Sequence, residues 1–139
     1  MDGKVNPDVR MLNGINAING VTQSVIYNAI AYALTKTESY SKNVATFINA
    51  FFLDSKAGVH PELNYGQTIR GPGTQHGQFL GVLDFRGMVK VINGIQILKA
   101  AQSPDWTASM DSQMLAWIGQ YVNWLQTNTL AQQAATAPK

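Results

Sequence analysis

The sequence predicts an all-α fold in which two antiparallel helical hairpins are joined by one long, ordered loop. Two observations carry this. Apolar residues recur at helical spacing in four segments, and residues 53–81 break that period with seven glycines or prolines: Gly58, Pro61, Gly66, Gly71, Pro72, Gly73 and Gly77, with Gly81 closing the stretch. The chain has 139 residues, 45% of them apolar, enough for a single domain with its own core.

Residues 1–20 hold the turn dipeptides Asn6-Pro7, Asn13-Gly14 and Asn19-Gly20, which predict an irregular arm. The first hairpin occupies 22–52. Val25, Ile26, Ala29, Ile30, Ala33 and Leu34 form one stripe of its first helix, and Val44, Phe47, Ile48 and Phe51 form one stripe of its second. The short turn 35–38 makes the pair antiparallel. The second hairpin occupies 82–126. Val82, Phe85, Val89, Ile92, Ile95 and Leu98 face inward from one helix, then Met110, Met114, Trp117, Ile118, Tyr121, Trp124 and Leu125 from the other. Gly87 and Gly94 lie inside a helix, where a glycine costs ~1 kcal/mol, and so predict close helix packing or close ligand approach. The tail 127–139 reads as frayed. Asn28, Tyr40 and Phe51 in the first hairpin are echoed by Asn93, Trp106 and Trp117 in the second, a weak internal repeat.

Composition narrows the function classes. Charged residues are 13% of the chain, about half the usual ~25%, while Asn and Gln contribute 11 each. Neutral amides pair well with sugar hydroxyls. The ten basic residues are scattered, with arginine only at Arg10, Arg70 and Arg86, so no nucleic-acid partner is expected. Without cysteine there is no disulfide, thiolate metal site or cysteine nucleophile. Two histidines make a structural metal site improbable, and no cofactor is expected. The start Met1-Asp2-Gly3-Lys4 is no signal peptide, and no apolar run is long enough to span a membrane, so no membrane partner is expected.

The loop holds the densest set of chemically useful side chains: Asn64, Tyr65, Gln67, Arg70, Gln75, His76 and Gln78, with Arg86 following. Amides and an arginine can hold a carboxylate through charge-assisted hydrogen bonds. Tyr65 or His76 can move a proton. The plainer reading, a connector whose amides satisfy its own backbone, stays open here. His60, before Pro61, reads as an exposed turn residue. Asp84 and Arg86, two apart on a helix, point apart, which leaves Arg86 to pair across the fold. The stripe Trp106, Trp117, Tyr121 and Trp124 reads as core, with sugar stacking as the alternative.

Five runs together carry a family resemblance: Val5–Arg10 (VNPDVR), Tyr27–Leu34 (YNAIAYAL), Phe51–Asp54 (FFLD), Asn64–Gly73 (NYGQTIRGPG) and Gly81–Gly87 (GVLDFRG). In their order and spacing, from about residue 5 to 126, the chain resembles fungal proteins of the alginate-lyase-like superfamily. The resemblance implies part of an α/α toroid, a ring of helical hairpins with a sugar cleft at one end. It also implies cleavage of polyuronates by β-elimination, an acidic polysaccharide or cell-surface glycan as partner, and an extracellular location. On the family pattern Gln67, Arg70, Gln78 and Arg86 match polar positions around the cleft loop. Tyr65 is the leading proton carrier and His76 the second. Members carry an Asn-Asn-His segment beyond the point matching Leu125–Lys139, and this sequence has no Asn-His dipeptide. The resemblance therefore implies the N-terminal part of such a domain, either a lyase or a catalytically incomplete binding protein. Half a toroid leaves an apolar helix face open, which predicts a homo-oligomer.

Overall fold

The structure, a computed structural model, describes residues 14–69, 71–73 and 76–137. It is all-α apart from one minimal hairpin of strands. The first hairpin pairs α1 (Gly14–Thr35) with α2 (Glu38–Ile48), and a π turn, Asn49–Leu53, continues α2. The loop carries strands β1 (Thr68–Ile69) and β2 (His76–Gly77). Then come α3 (Leu80–Asp84), a 3-10 turn (Phe85–Gly87), α4 (Met88–Ala100), α5 (Ala108–Thr127) and α6 (Thr129–Thr136).

Both ends of the chain are more helical than the sequence suggests. Of the expected irregular arm, residues 14–20 belong to α1, and residues 1–13 lie outside the described set. Asn19-Gly20 reads locally as a turn, but Ile18 beside it is buried, and that burial outweighs a glycine cost of ~1 kcal/mol. The tail is not frayed through residue 136. Asn128 caps α6, its side-chain oxygen accepting from Leu130 N at 2.9 Å, and Ala131 is buried.

Helices α1 and α4 run parallel. Thr22 lies against Gly87, Val25 against Gly94, and the Lys36 ammonium donates to Ala101 O at 3.0 Å. A Cβ on Gly94 would stand 2.7 Å from Val25 Cγ1, and one on Gly87 2.7 Å from Thr22 Oγ1. The two glycines serve close helix packing. Helices α2 and α5 return in the opposite sense, and the π turn that continues α2 packs against α5. The repeat seen in the sequence has a structural counterpart. The first helix of each hairpin ends on a non-glycine residue in the left-handed region, Lys36 at φ 57° and Gln102 at φ 55°. Buried Ser41 ties the two turns together by donating to an Asp105 carboxylate oxygen.

The core runs between the layers. Val25, Val44, Ile48, Val91, Leu98 and Met114 are almost wholly buried. At one end it becomes aromatic. Phe52 meets the Trp117 ring edge-on at 5.1 Å between centroids, and Trp117 lies 5.5 Å from Tyr121. Tyr121 in turn stacks on Trp124 at 6.5 Å and 10°. Such pairs add about 0.5–1.5 kcal/mol each beyond the area they bury. The aromatic stripe of α5 is therefore core, with Trp117 and Trp124 both buried.

Two stability measurements test this packing. Gly94→Ala forces a methyl into Val25 and is expected to cost about 1–3 kcal/mol in denaturant unfolding. Gly119→Ala, on α5 with nothing within 4 Å, is expected to add roughly 0.5–1 kcal/mol. Burial pushes the Tyr121 phenol up to about 12 from an ordinary 10.0. The folded state then holds a proton that the unfolded chain releases, so this part of the stability is intact below pH 10.0 and is lost as pH rises toward about 12. Tyr121→Phe is expected to flatten the fall of melting temperature over that window.

Candidate functional site

The loop leaves the π turn at Asp54, whose Oδ1 accepts from Lys56 N and Ala57 N at 2.8 Å each. Those two backbone donors hold the Asp54 carboxyl below the usual carboxylate range. Val59 N donates to Phe51 O at 2.7 Å and Val59 O accepts the Trp117 indole N–H at 2.8 Å, so the loop is fastened to the aromatic core from its first turn. Leu63 is buried. The chain then turns through Asn64 and Tyr65 into β1, which pairs antiparallel with β2, Thr68 opposite Gly77 and Ile69 opposite His76.

Two glycines explain why this loop can double back. A Cβ on Gly77 would fall 1.6 Å from Asn64 O, and one on Gly81 2.5 Å from Gln67 N. Backbone passes so near backbone at both points that only hydrogen fits. Leu130 of α6 closes over Gly77, so the supposed tail is one wall of the loop's seat.

The polar side chains of the loop divide into an inner and an outer set. Asn64 is inner. Its Oδ1 accepts from Asn128 Nδ2 at 3.0 Å and from the Trp124 indole N–H at 3.3 Å, and its Nδ2 donates to Glu62 Oε2 at 3.2 Å. Gln67 is also inner. Its Nε2 donates to an Asp84 carboxylate oxygen, and its Oε1 accepts from Gln78 Nε2 at 3.1 Å. Gln78 N also donates to Gln67 O at 2.9 Å. The result is a directed relay, Gln78 to Gln67 to Asp84, partly screened from water, where hydrogen bonds to a charged acceptor are strongest.

The outer set is Tyr65, His76 and Arg86, all exposed; Tyr65 has 74% of its surface in contact with water. No hydrogen bond among the described residues joins Tyr65 to Gln67, Gln78 or Arg86. The convergence of amides, arginine and tyrosine on one pocket is therefore only half realised. The amides converge on one another, while the tyrosine points outward. Arg70 and Gln75 lie outside the described residues.

Sequence reasoning missed Asp84, Glu62 and Asn128 as partners of these amides. Asp84 is 17 positions from Gln67 and Asn128 is 64 from Asn64, distances at which no local pattern signals a contact. Among the described residues no group of three or more His, Asp or Glu side chains is placed to hold a metal ion, and no helix is long and apolar enough to cross a membrane.

The relay has a charge-specific test. Gln67→Glu replaces its donor with a second carboxylate against Asp84. The variant is expected to lose about 1–3 kcal/mol at pH 7, by like-charge repulsion and loss of a donor, and to recover much of it below about pH 4, where one carboxyl carries a proton. Denaturation at the two pH values checks both halves.

Comparison with known proteins supplies the context. No curated protein matches this chain. Among solved structures, the crystal structure of an alginate lyase from Bacteroides ovatus superposes with a TM-score of 0.88 at 29% sequence identity, covering 99% of this chain. The chain spans 35% of that protein's length. The sequence profile described as alginate lyase matches residues 1–138. On that match over nearly its whole length, and with the helical architecture in agreement, the chain belongs to the alginate lyase family.

Proposed function

We propose that the chain binds a uronate-containing polysaccharide at the 53–81 loop and takes part in its cleavage by β-elimination. One observation carries the reading: Tyr65 is exposed while its neighbours on both sides are fixed. Asn64 is tied to Glu62, Trp124 and Asn128, and Gly66 is pressed against Gly81. A phenol presented to solvent on an immobile backbone suits proton transfer to or from a bound sugar.

In β-elimination the C5 proton of a uronate passes to a base, the C4–O4 bond breaks, a C4=C5 double bond forms, and O4 leaves with a proton. Tyr65 is the proposed proton carrier, with His76, on β2, as the second. The uronate carboxylate needs a partner that lowers the acidity barrier at C5. Gln67 has its oxygen and one N–H committed internally, so that role passes to Arg86, joined from sequence by Arg70 and Gln75. Asn64, Gln67 and Gln78 then act as positioning residues that keep the loop in shape. A secreted protein acting on an acidic cell-surface or matrix glycan fits this chemistry. Self-association fits the exposed stripe Tyr27, Ile30 and Leu34 on α1.

The commitment of the Asn64 and Gln67 amides to internal partners favours a second reading, recognition of the polysaccharide without turnover. One experiment separates the two. Incubation with alginate, pectate and glucuronan is expected to raise ultraviolet absorbance as the unsaturated uronide forms, and Tyr65→Phe is expected to slow that rise by about 10²-fold or more. Binding by calorimetry with no absorbance change would select recognition alone. A Tyr65→Phe variant with full turnover would clear Tyr65 of proton transfer.

A further inference from the structure

A separate groove opens where the beginning of the loop faces the C-terminal half of α5. Its volume is about 390 Å³, with His60 and Glu62 on the loop side and Gln120, Asn123, Trp124 and Thr127 on the other. The four α5 residues follow the i, i+3, i+4, i+7 spacing, so one helix face supplies a carboxamide, a second carboxamide, an indole and a hydroxyl in a row. That volume sits at the lower end of the roughly 300–1,000 Å³ of small-ligand clefts.

The chemistry of this lining selects a ligand class. Each carboxamide offers both donors and an acceptor, matching a hydroxyl that both donates and accepts. Gln120 and Asn123 are exposed, and neither side chain is engaged in a hydrogen bond among the described residues. The indole N–H of Trp124 is held by Asn64, which fixes the ring where it lines the groove. Among the described residues no lysine or arginine lines the groove; Glu62 supplies its carboxylate and His60 an imidazole. A uronate there would set carboxylate against carboxylate, whereas an uncharged sugar would meet a strong acceptor for its hydroxyls.

We propose that this groove is a binding site for a neutral saccharide unit, distinct in charge preference from the uronate site of the loop. It would let the protein hold an uncharged stretch of a mixed polysaccharide beside the acidic stretch on which the loop acts. Binding here requires neither turnover nor a bound uronate.

The test is titration of the ¹⁵N-labelled protein with cellotetraose and mannotetraose as neutral probes and an alginate tetrasaccharide as the acidic one. The expected result is binding of at least one neutral probe with a dissociation constant on the order of millimolar or tighter. Shifts should centre on the Trp124 indole N–H and the Gln120 and Asn123 carboxamides. Gln120→Ala and Asn123→Ala are each expected to weaken it by about five- to tenfold, the loss of a hydrogen bond or two. Val122→Ala, on the opposite face of α5 and exposed, should leave it unchanged. Both test positions are exposed, so the variants fold. Failure of both neutral probes to bind, binding unmoved by either alanine, or an alginate tetrasaccharide shifting these same three groups as strongly, would each overturn the proposal.

Discussion

The parallel contact between α1 and α4 is the constraint from which the rest follows. Thr22 and Val25 can approach Gly87 and Gly94 only because those residues lack a Cβ, and the approach sets the two hairpins side by side in the same sense. Since α2 runs back along α1, the end of α2 lies at the same end of the molecule as the start of α4. The connector must therefore travel across that end, and α5 finishes there too. Asp54, Asn64, Asp84 and Asn128, far apart in sequence, are gathered at one end by this geometry. The loop is a consequence of how α1 and α4 stack, and its position over the aromatic core follows from their direction.

Much of this was legible in the sequence because it is written in local periods. The buried lines of α1, α2, α4 and α5 are recoverable in the main from apolar spacing, but Ile30, Leu34 and Val89, read as part of them, are exposed, and the two interior glycines marked either close packing or a ligand contact. What misled was local chemistry overridden at a distance. Asn19-Gly20 has the composition of a turn, yet Ile18 and Thr22 on either side are buried, so the helix runs through it. In the tail, Asn128 signals nothing by itself. It becomes a helix cap and an anchor only once Asn64 is brought to it. Of the site, the residue types were legible and the wiring was not. Gln67 looked like a hand for a carboxylate, and it does hold one, that of Asp84.

That substitution of an internal carboxylate for an external one changes how the site should be understood. An unpaired carboxamide inside a folded-back loop would cost roughly 1–3 kcal/mol. Pairing Gln78, Gln67 and Asp84 removes the cost and stiffens the loop, but it also removes those groups from the list of free ligands. A loop that presents side chains without motion needs others spent on its shape. Tyr65 is held out in this sense. Its immediate neighbours are locked by contacts that tolerate neither a Cβ at Gly77 nor an unpaired oxygen on Asn64.

Asn64 also links the proposed uronate site to the proposed neutral-sugar groove. Its oxygen fixes Trp124 and Asn128, while its nitrogen is spent on Glu62. Glu62 is thereby held at the groove, where a negative charge repels uronates, and Tyr65, the next residue along from Asn64, faces solvent where Arg86 is also exposed. An exposed arginine favours a carboxylate-bearing sugar and Glu62 disfavours one, and each preference acts over a Debye length, about 8–10 Å at moderate salt. The two preferences therefore oppose each other along the surface.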